Sequence, residues 1–113
     1  MRALPNFVDW NAIPARPLAE GVRIRIFSSA NVMLSLVDLE PGAIVAPHQH
    51  PHEQLGMWLE GEAEAVIGDS RKRVHAGESY FIPGGTQHTF VAGPQGGRAL
   101  DIFQPPREDY LTP

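Results

Sequence analysis

The sequence predicts an all-β fold, a small barrel or sandwich, on three observations. Eleven glycines and eleven prolines are spread through 113 residues, and they interrupt every window long enough to hold a stable helix. Short apolar runs recur between turn residues at the spacing typical of sandwiches and barrels. The hydrophobic share is 42% and the charged share 19%, as in an ordinary globular protein. That is enough for one domain with one modest core.

Each element follows from its pattern. Residues 22–26 alternate apolar and charged with period two, a half-buried strand. Residues 32–39 are denser in apolar side chains and read as a more buried strand. They end at Glu40-Pro41-Gly42-Ala43, where Pro fixes φ and Gly is free to go positive. Extended structure resumes over 44–50. Further strands are expected at 55–59, 63–67, 71–74 and 80–82, closed in turn by Glu60-Gly61-Glu62, Gly68-Asp69, Ala76-Gly77-Glu78 and Pro83-Gly84-Gly85. The last two, 88–92 and 99–103, are separated by a loop at 93–97. The whole chain, 1–113, reads as a single domain with its core over about 21–103. The polar, Pro-rich tail 104–113 is expected on the surface or across a mouth of the barrel.

Charge and composition exclude several functions. Nine Lys and Arg stand against thirteen Asp and Glu, a net charge of −4, whereas phosphate recognition needs a basic face, so no nucleic acid is expected as partner. The one basic cluster, Arg71-Lys72-Arg73, reads as a solvated hairpin. Cysteine is absent, which removes disulfides, thiolate metal sites and cysteine nucleophiles. No apolar run is long enough for a membrane span, and residues 1–7 contain no long apolar stretch of the kind secretory signals carry. A cytoplasmic protein is expected, and the small core makes a homodimer a natural supplement.

The five histidines are His48, His50, His52, His75 and His88. Three of them fall within five residues. His48 and His50 are two apart, so on a strand they share a face and their imidazoles can converge on one ion. Gln54 has the same parity and can add an oxygen ligand. His88 follows a Pro-Gly-Gly turn on a different hairpin, and a fold that brings that hairpin alongside would close a three-His, one-Gln site. On spacing alone, a polar loop of solvated histidines is the competing reading. His52 follows Pro51 and reads as a supporting or surface residue, and His75 as solvent-facing.

The glycines, proline and histidines of these segments resemble a known family. Gly42-x5-His48-x-His50, followed by Gln54 and Gly61, is similar to the first cupin motif, G-x5-H-x-H-x3,4-E-x6-G. Gly77-x5-Pro83-x-Gly85-x2-His88 is similar to the second, G-x5-P-x-G-x2-H-x3-N. Two positions depart from the pattern: Gln54 stands where the family has an acid, and Ala92 where it has Asn. The resemblance implies a jelly-roll barrel (a double-stranded β-helix) with one divalent metal in its lumen. The candidate ions are nickel, zinc, iron, manganese and copper. With Gln54 in place of a carboxylate, three neutral imidazoles and a neutral amide leave such an ion its full charge. That disfavours oxidation to a trivalent state and favours Lewis-acid chemistry.

Asp101 interrupts the apolar run 99–103. By period two it shares a face with Ala99 and Phe103. A carboxylate turned into an apolar lumen is costly unless paired or near a cation. The alternative turns Asp101 to water and leaves Leu100 and Ile102 as core. Arg107 reads either as a free surface arginine or as an anchor for a substrate carboxylate. Taken together, residues 101–110 and the His48-Gln49-His50-Pro51-His52-Glu53-Gln54 segment resemble the small pectin-degradation cupins. That resemblance implies metal ligands at His48, His50, Gln54 and His88. It also implies an acid/base at Asp101 and substrate contacts at Phe103 and Arg107. The activity it implies is ring opening of 4,5-unsaturated uronate monosaccharides to 4-deoxy-5-keto products, a non-redox reaction on a small sugar-acid substrate. The rival readings are a metal-dependent cupin dioxygenase, a cupin that binds a small carboxylate without turning it over, and a metal-free structural protein.

Overall fold

A computed structural model describes residues 4–111. A 3-10 turn, Trp10–Ala12, precedes eight strands: β1 (Arg16–Ala19), β2 (Val22–Ser28), β3 (Met33–Leu39), β4 (Ile44–His48), β5 (Glu53–Ile67), β6 (Ser70–His75), β7 (Ser79–Ile82) and β8 (His88–Gln104). One helical turn, α1 (Glu108–Leu111), follows. The strands form one antiparallel sheet in the order β1-β2-β3-β8-β5-β6, with β4 added on β8 and β7 on β5.

The two longest strands, β5 and β8, pair from Glu53↔Gln104 to Ile67↔His88. Each serves two partners along its other edge. The start of β8 carries β4 and its end carries β3. The start of β5 carries β7 and its end carries β6. The sheet therefore rolls into the expected jelly-roll barrel. Period-two alternation sends Val22, Ile24, Met33, Trp58, Ile82 and Phe103 inward, where all are buried.

The expected breaks at 60–62 and 93–97 are not chain reversals. Both strands run through them, and both bulge. While β5 steps from Gly61 to Ala63, β8 moves from Gly97 to Ala92, so β8 loops out extra residues there. Gly61 and Gly96 have φ of 73° and 71°. A Cβ on Gly61 would lie 2.2 Å from the Gly96 carbonyl oxygen. Only glycine permits this conformation and this approach, and the bend it allows lets one strand belong to both half-sheets. Strand β1, the 3-10 turn and α1 carried too little apolar periodicity to be predicted. The basic run 71–73 is exposed on β6, with ion pairs from Arg71 to Glu64, Lys72 to Glu78 and Arg73 to Glu62, as a solvated hairpin requires. Among the described residues, no helix is long and apolar enough to cross a membrane.

The outer face of the barrel is unusually apolar on one side. Leu55, Met57 and Leu59 alternate outward along β5 at 36–47% exposure, with Phe81 at 52% beside Leu55. The cross-strand row Leu34–Ile102–Leu55–Phe81 extends this face over four strands.

Candidate metal centre

His48 ends β4 and His88 begins β8, and the two are direct cross-strand partners. Their ring centroids are 4.2 Å apart. His50 lies beyond the end of β4, so the expected single strand over 44–50 stops at His48. His50 reaches the site from a bend. That bend is docked on the Pro83-Gly84-Gly85 turn: the Gly85 N–H donates to the His50 carbonyl at 2.8 Å. A Cβ on Gly84 would sit 2.3 Å from the Pro51 carbonyl oxygen. The glycines of the second motif thus let its turn pack against the bend of the first. Gln54 opens the inner face of β5 and is buried.

The ligand nitrogens of His48, His50 and His88 all lie within 4.8 Å of one another. Each Nδ1 faces a backbone carbonyl: His48 that of Ala46 (2.9 Å), His50 that of His52 (3.2 Å) and His88 that of Thr86 (2.8 Å). A carbonyl can only accept, so each Nδ1 carries a proton, and a neutral ring then keeps its Nε2 lone pair for a ligand. Nε2 of His88 is buried without a hydrogen-bond partner. Nε2 of His50 stands 3.1 Å from Gln54 Oε1, so both atoms are placed where one cation could take them. Burial lowers the pKa of His50 and brings that of His88 down to about 4, so at neutral pH these rings are uncharged and free to ligate. The residues therefore fit an imidazole-bound divalent ion.

His52 is buried and supports the site from behind. Its carbonyl holds His50, and its Nε2 meets Glu108 at 2.6 Å, tying the bend to α1. His75 is exposed on β6 beside Glu62 and Glu78.

Asp101 points inward with Ala99 and Phe103, which decides between its two readings. It keeps a little exposure toward the barrel mouth yet is strongly desolvated. Burial raises its pKa to about 6, held back by hydrogen bonds from Tyr80 and Gln54 and by the charge of Arg107. The Tyr80 hydroxyl donates to Asp101 Oδ1 at 2.5 Å. Arg107 is not a free surface residue. Its guanidinium lies 4.0 Å over the Tyr110 ring and 5.4 Å from Phe103. It also donates to the Asp109 carboxylate and to the Tyr110 hydroxyl. Phe103 is buried, edge-on to both His50 and Tyr110.

Comparison with known proteins agrees with this geometry. The family model described as "Cupin domain" matches residues 35–103. The chain is a cupin. It is 30% identical over 107 residues to the pectin degradation protein KdgF of Dickeya dadantii, covering 93% of this chain and 96% of that one. It is thereby one of the small pectin-degradation cupins. Among solved structures it superposes on KdgF from Halomonas sp. with a TM-score of 0.87 at 26% identity, over 94% of this chain and 98% of that one. An RmlC-like cupin from Shewanella frigidimarina gives a TM-score of 0.90 at 27% identity, over 97% and 99%.

In this cupin His48 and Asp101 open on one internal cavity, lined also by Gln54, Tyr80, Arg107 and Tyr110. Its volume is about 40 Å³, room for a few waters and not for a sugar. The tail forms its roof. The Tyr110 carbonyl accepts from Arg16 at 2.6 Å, and Glu108 is bound to His52. A wider groove of about 600 Å³ lies on the outer face, lined by Arg23, Arg25, Asp38, Glu60 and Arg98. It is open, and Asp38 there is already held by Arg25 and Arg98. The histidine cluster and Asp101 are at the small cavity and not at this groove. Tyr80 is the member that sequence reasoning missed. Period two from buried Ile82 places it inward, but nothing in the sequence shows that its hydroxyl meets Asp101.

Proposed function

We propose that this cupin holds one divalent cation on His48, His50, His88 and Gln54. We further propose that it linearises a 4,5-unsaturated uronate monosaccharide, with Asp101 as general acid/base. The observation that carries this reading is a carboxyl group with a raised pKa lining the same cavity as His48 and Gln54, where the ring nitrogens of His48, His50 and His88 cluster. The bound cation would supply Lewis acidity to the sugar oxygens. The reaction is an isomerisation. A proton leaves the C1 hydroxyl, the C1 carbonyl forms, the bond from C1 to the ring oxygen breaks, and a proton is added at C4 as the C5 enol becomes a ketone. No oxidant is needed. Asp101 takes up and returns that proton, and a pKa of about 6 suits both halves of the task near neutral pH. Arg107 exchanges Asp109 for the substrate carboxylate, and Phe103 packs against the sugar once the tail has moved aside. The neutral Gln54 in the ligand set is the reason for favouring this chemistry over oxygen activation.

The test uses metal-loaded protein and unsaturated galacturonate, followed by proton NMR. The vinyl signal at C4 is expected to disappear faster than in buffer, with deuterium entering C4 in D₂O and no oxygen consumed. Loss of the signal at the buffer rate, or oxygen uptake matched to substrate loss, overturns the reading.

We also propose that a second copy of the chain covers the apolar outer face. The exposed side chains of Leu55, Met57, Leu59 and Phe81, with their half-buried neighbours Leu34, Leu100 and Ile102, form one continuous patch. Contiguous exposed apolar surface marks an interaction site, and a two-fold axis through this patch would bury it against itself. Sedimentation is expected to give a dimer for the native chain and a monomer for Leu55→Lys/Phe81→Arg, with the far-UV spectrum unchanged. A monomeric native protein sinks the idea.

A further inference from the structure

We propose that Tyr80 is the positioning residue for Asp101, and that Gly56 is the device that lets it act. The inference rests on the reading of Asp101 as the acid/base and goes beyond it, by assigning what holds that carboxyl in place.

Three adjacent strands put these residues in one row. Gly56 on β5 is the cross-strand partner of Tyr80 on β7, and on its other side the partner of Asp101 on β8. The centre of the row has no side chain. The Tyr80 ring lies in the space a side chain at 56 would fill: an added Cβ would be 2.2 Å from two ring carbons and 2.4 Å from the hydroxyl oxygen. Crossing that gap, the hydroxyl reaches Asp101 Oδ1 at 2.5 Å. Phe90 packs on the ring at 5.1 Å and 50°, so the phenol has little freedom to swing away. Tyr80 is buried, at 8% exposure, and Asp101 is the one partner its hydroxyl is shown to find. A buried tyrosine hydroxyl needs such a partner, and the carboxyl gains a fixed rotamer and plane in return.

The arrangement differs from ordinary core packing in what it predicts. A core phenylalanine would fill the same volume as Tyr80 and leave the barrel intact. It would not hold the carboxyl. Any residue larger than glycine at 56 would displace the ring and break the same hydrogen bond without touching substrate or metal.

The experiment compares Tyr80→Phe, Gly56→Ala and the double variant with the native enzyme, all metal-loaded, on unsaturated galacturonate. Asp101→Asn is run beside them. For Tyr80→Phe, kcat is expected to fall by roughly 10- to 100-fold. KM should stay within about twofold, and metal content and melting temperature should stay near the native values. Gly56→Ala should lower kcat in the same way, and the double variant should be no worse than the poorer single one, because both remove one contact. A Tyr80→Phe enzyme with kcat within twofold of native overturns the positioning role, and so does an equal loss arising entirely in KM. If Asp101→Asn is inactive while Tyr80→Phe is unimpaired, this inference fails and the acid/base assignment stands. If Asp101→Asn is active, the assignment beneath it fails.

Discussion

Replacing Asp101 by Asn is expected to abolish turnover while leaving metal content intact. Asn is nearly isosteric, can still accept from Tyr80, and touches none of the three histidines' ligand atoms. What it lacks is a proton to exchange. Loss of a positioned acid/base costs roughly 10²- to 10⁴-fold in rate, so the variant should fall to near the uncatalysed rate in the NMR assay. The same substitution should make the metal-free protein more stable at neutral pH. Burial raises the folded-state pKa of Asp101 from 3.8 to about 6. The folded chain therefore holds this proton more tightly than the unfolded chain does. The resulting stabilisation is fully present below about pH 3.8 and is lost as pH rises through about 6. Above that, the buried carboxylate opposes folding by on the order of 3 kcal/mol, and Asn removes the opposition. In thermal melts of metal-free protein, the gap in favour of Asn should be wider at pH 8 than at pH 5. An active variant, or a gap that narrows with rising pH, contradicts the role or the burial respectively.

Removing the metal is the second large effect. Chelation should lower activity by at least about 100-fold and His88→Ala should do the same, since outer-shell changes alone cost 10–100-fold at metal sites. His88 is the more telling target than His48 or His50. Its Nε2 is buried with no partner, so it has no use in the folded chain except toward a ligand. Metal should also raise the melting temperature. A ligand at about 100 times its Kd adds roughly 2.7 kcal/mol, worth on the order of 10 °C in a domain of this size. Metal analysis, activity and melts on one chelated and reloaded sample check all three together. Full activity in protein shown by elemental analysis to be metal-free would remove the cation from the reaction.

How far the sequence reached depended on which property encodes each feature. Period-two alternation is local, so the buried face of β2 was legible from the order of residues, whereas in β8 it grouped Asp101 with Ala99 and Phe103 without saying whether that face or the one with Leu100 and Ile102 turns inward. The spacing of His48, His50, Gln54 and His88 named the cluster, because the turns that assemble it carry their own glycines and proline. The route to it was less legible. His50 was expected on a strand and arrives from a bend, which Pro51 and the docked Pro-Gly-Gly turn create. The strand breaks at 60–62 and 93–97 were misread for a physical reason: glycine marks positive φ and close approach in turns and in bulges alike. Only the pairing of β5 with β8 distinguishes the two. Tyr80 and Gly56 were missed because their meaning is joint. Neither residue is informative until three strands are in register. The tail's polar, Pro-rich sequence fits the surface and the barrel mouth equally, and contacts across most of the chain, Arg16 to Tyr110 and His52 to Glu108, place it over the mouth.

That roof has a consequence for what the protein can accept. The free chamber is smaller than any hexuronate, and its cover is α1, fastened by Glu108 against His52 and by Tyr110 edge-on to Phe103. A guest must therefore supply, through its own carboxylate and ring, contacts that replace those it dislodges. On the proposed reading a single sugar acid is expected to do so, and a uronate still joined to an oligomer should be turned over more slowly than the free monosaccharide.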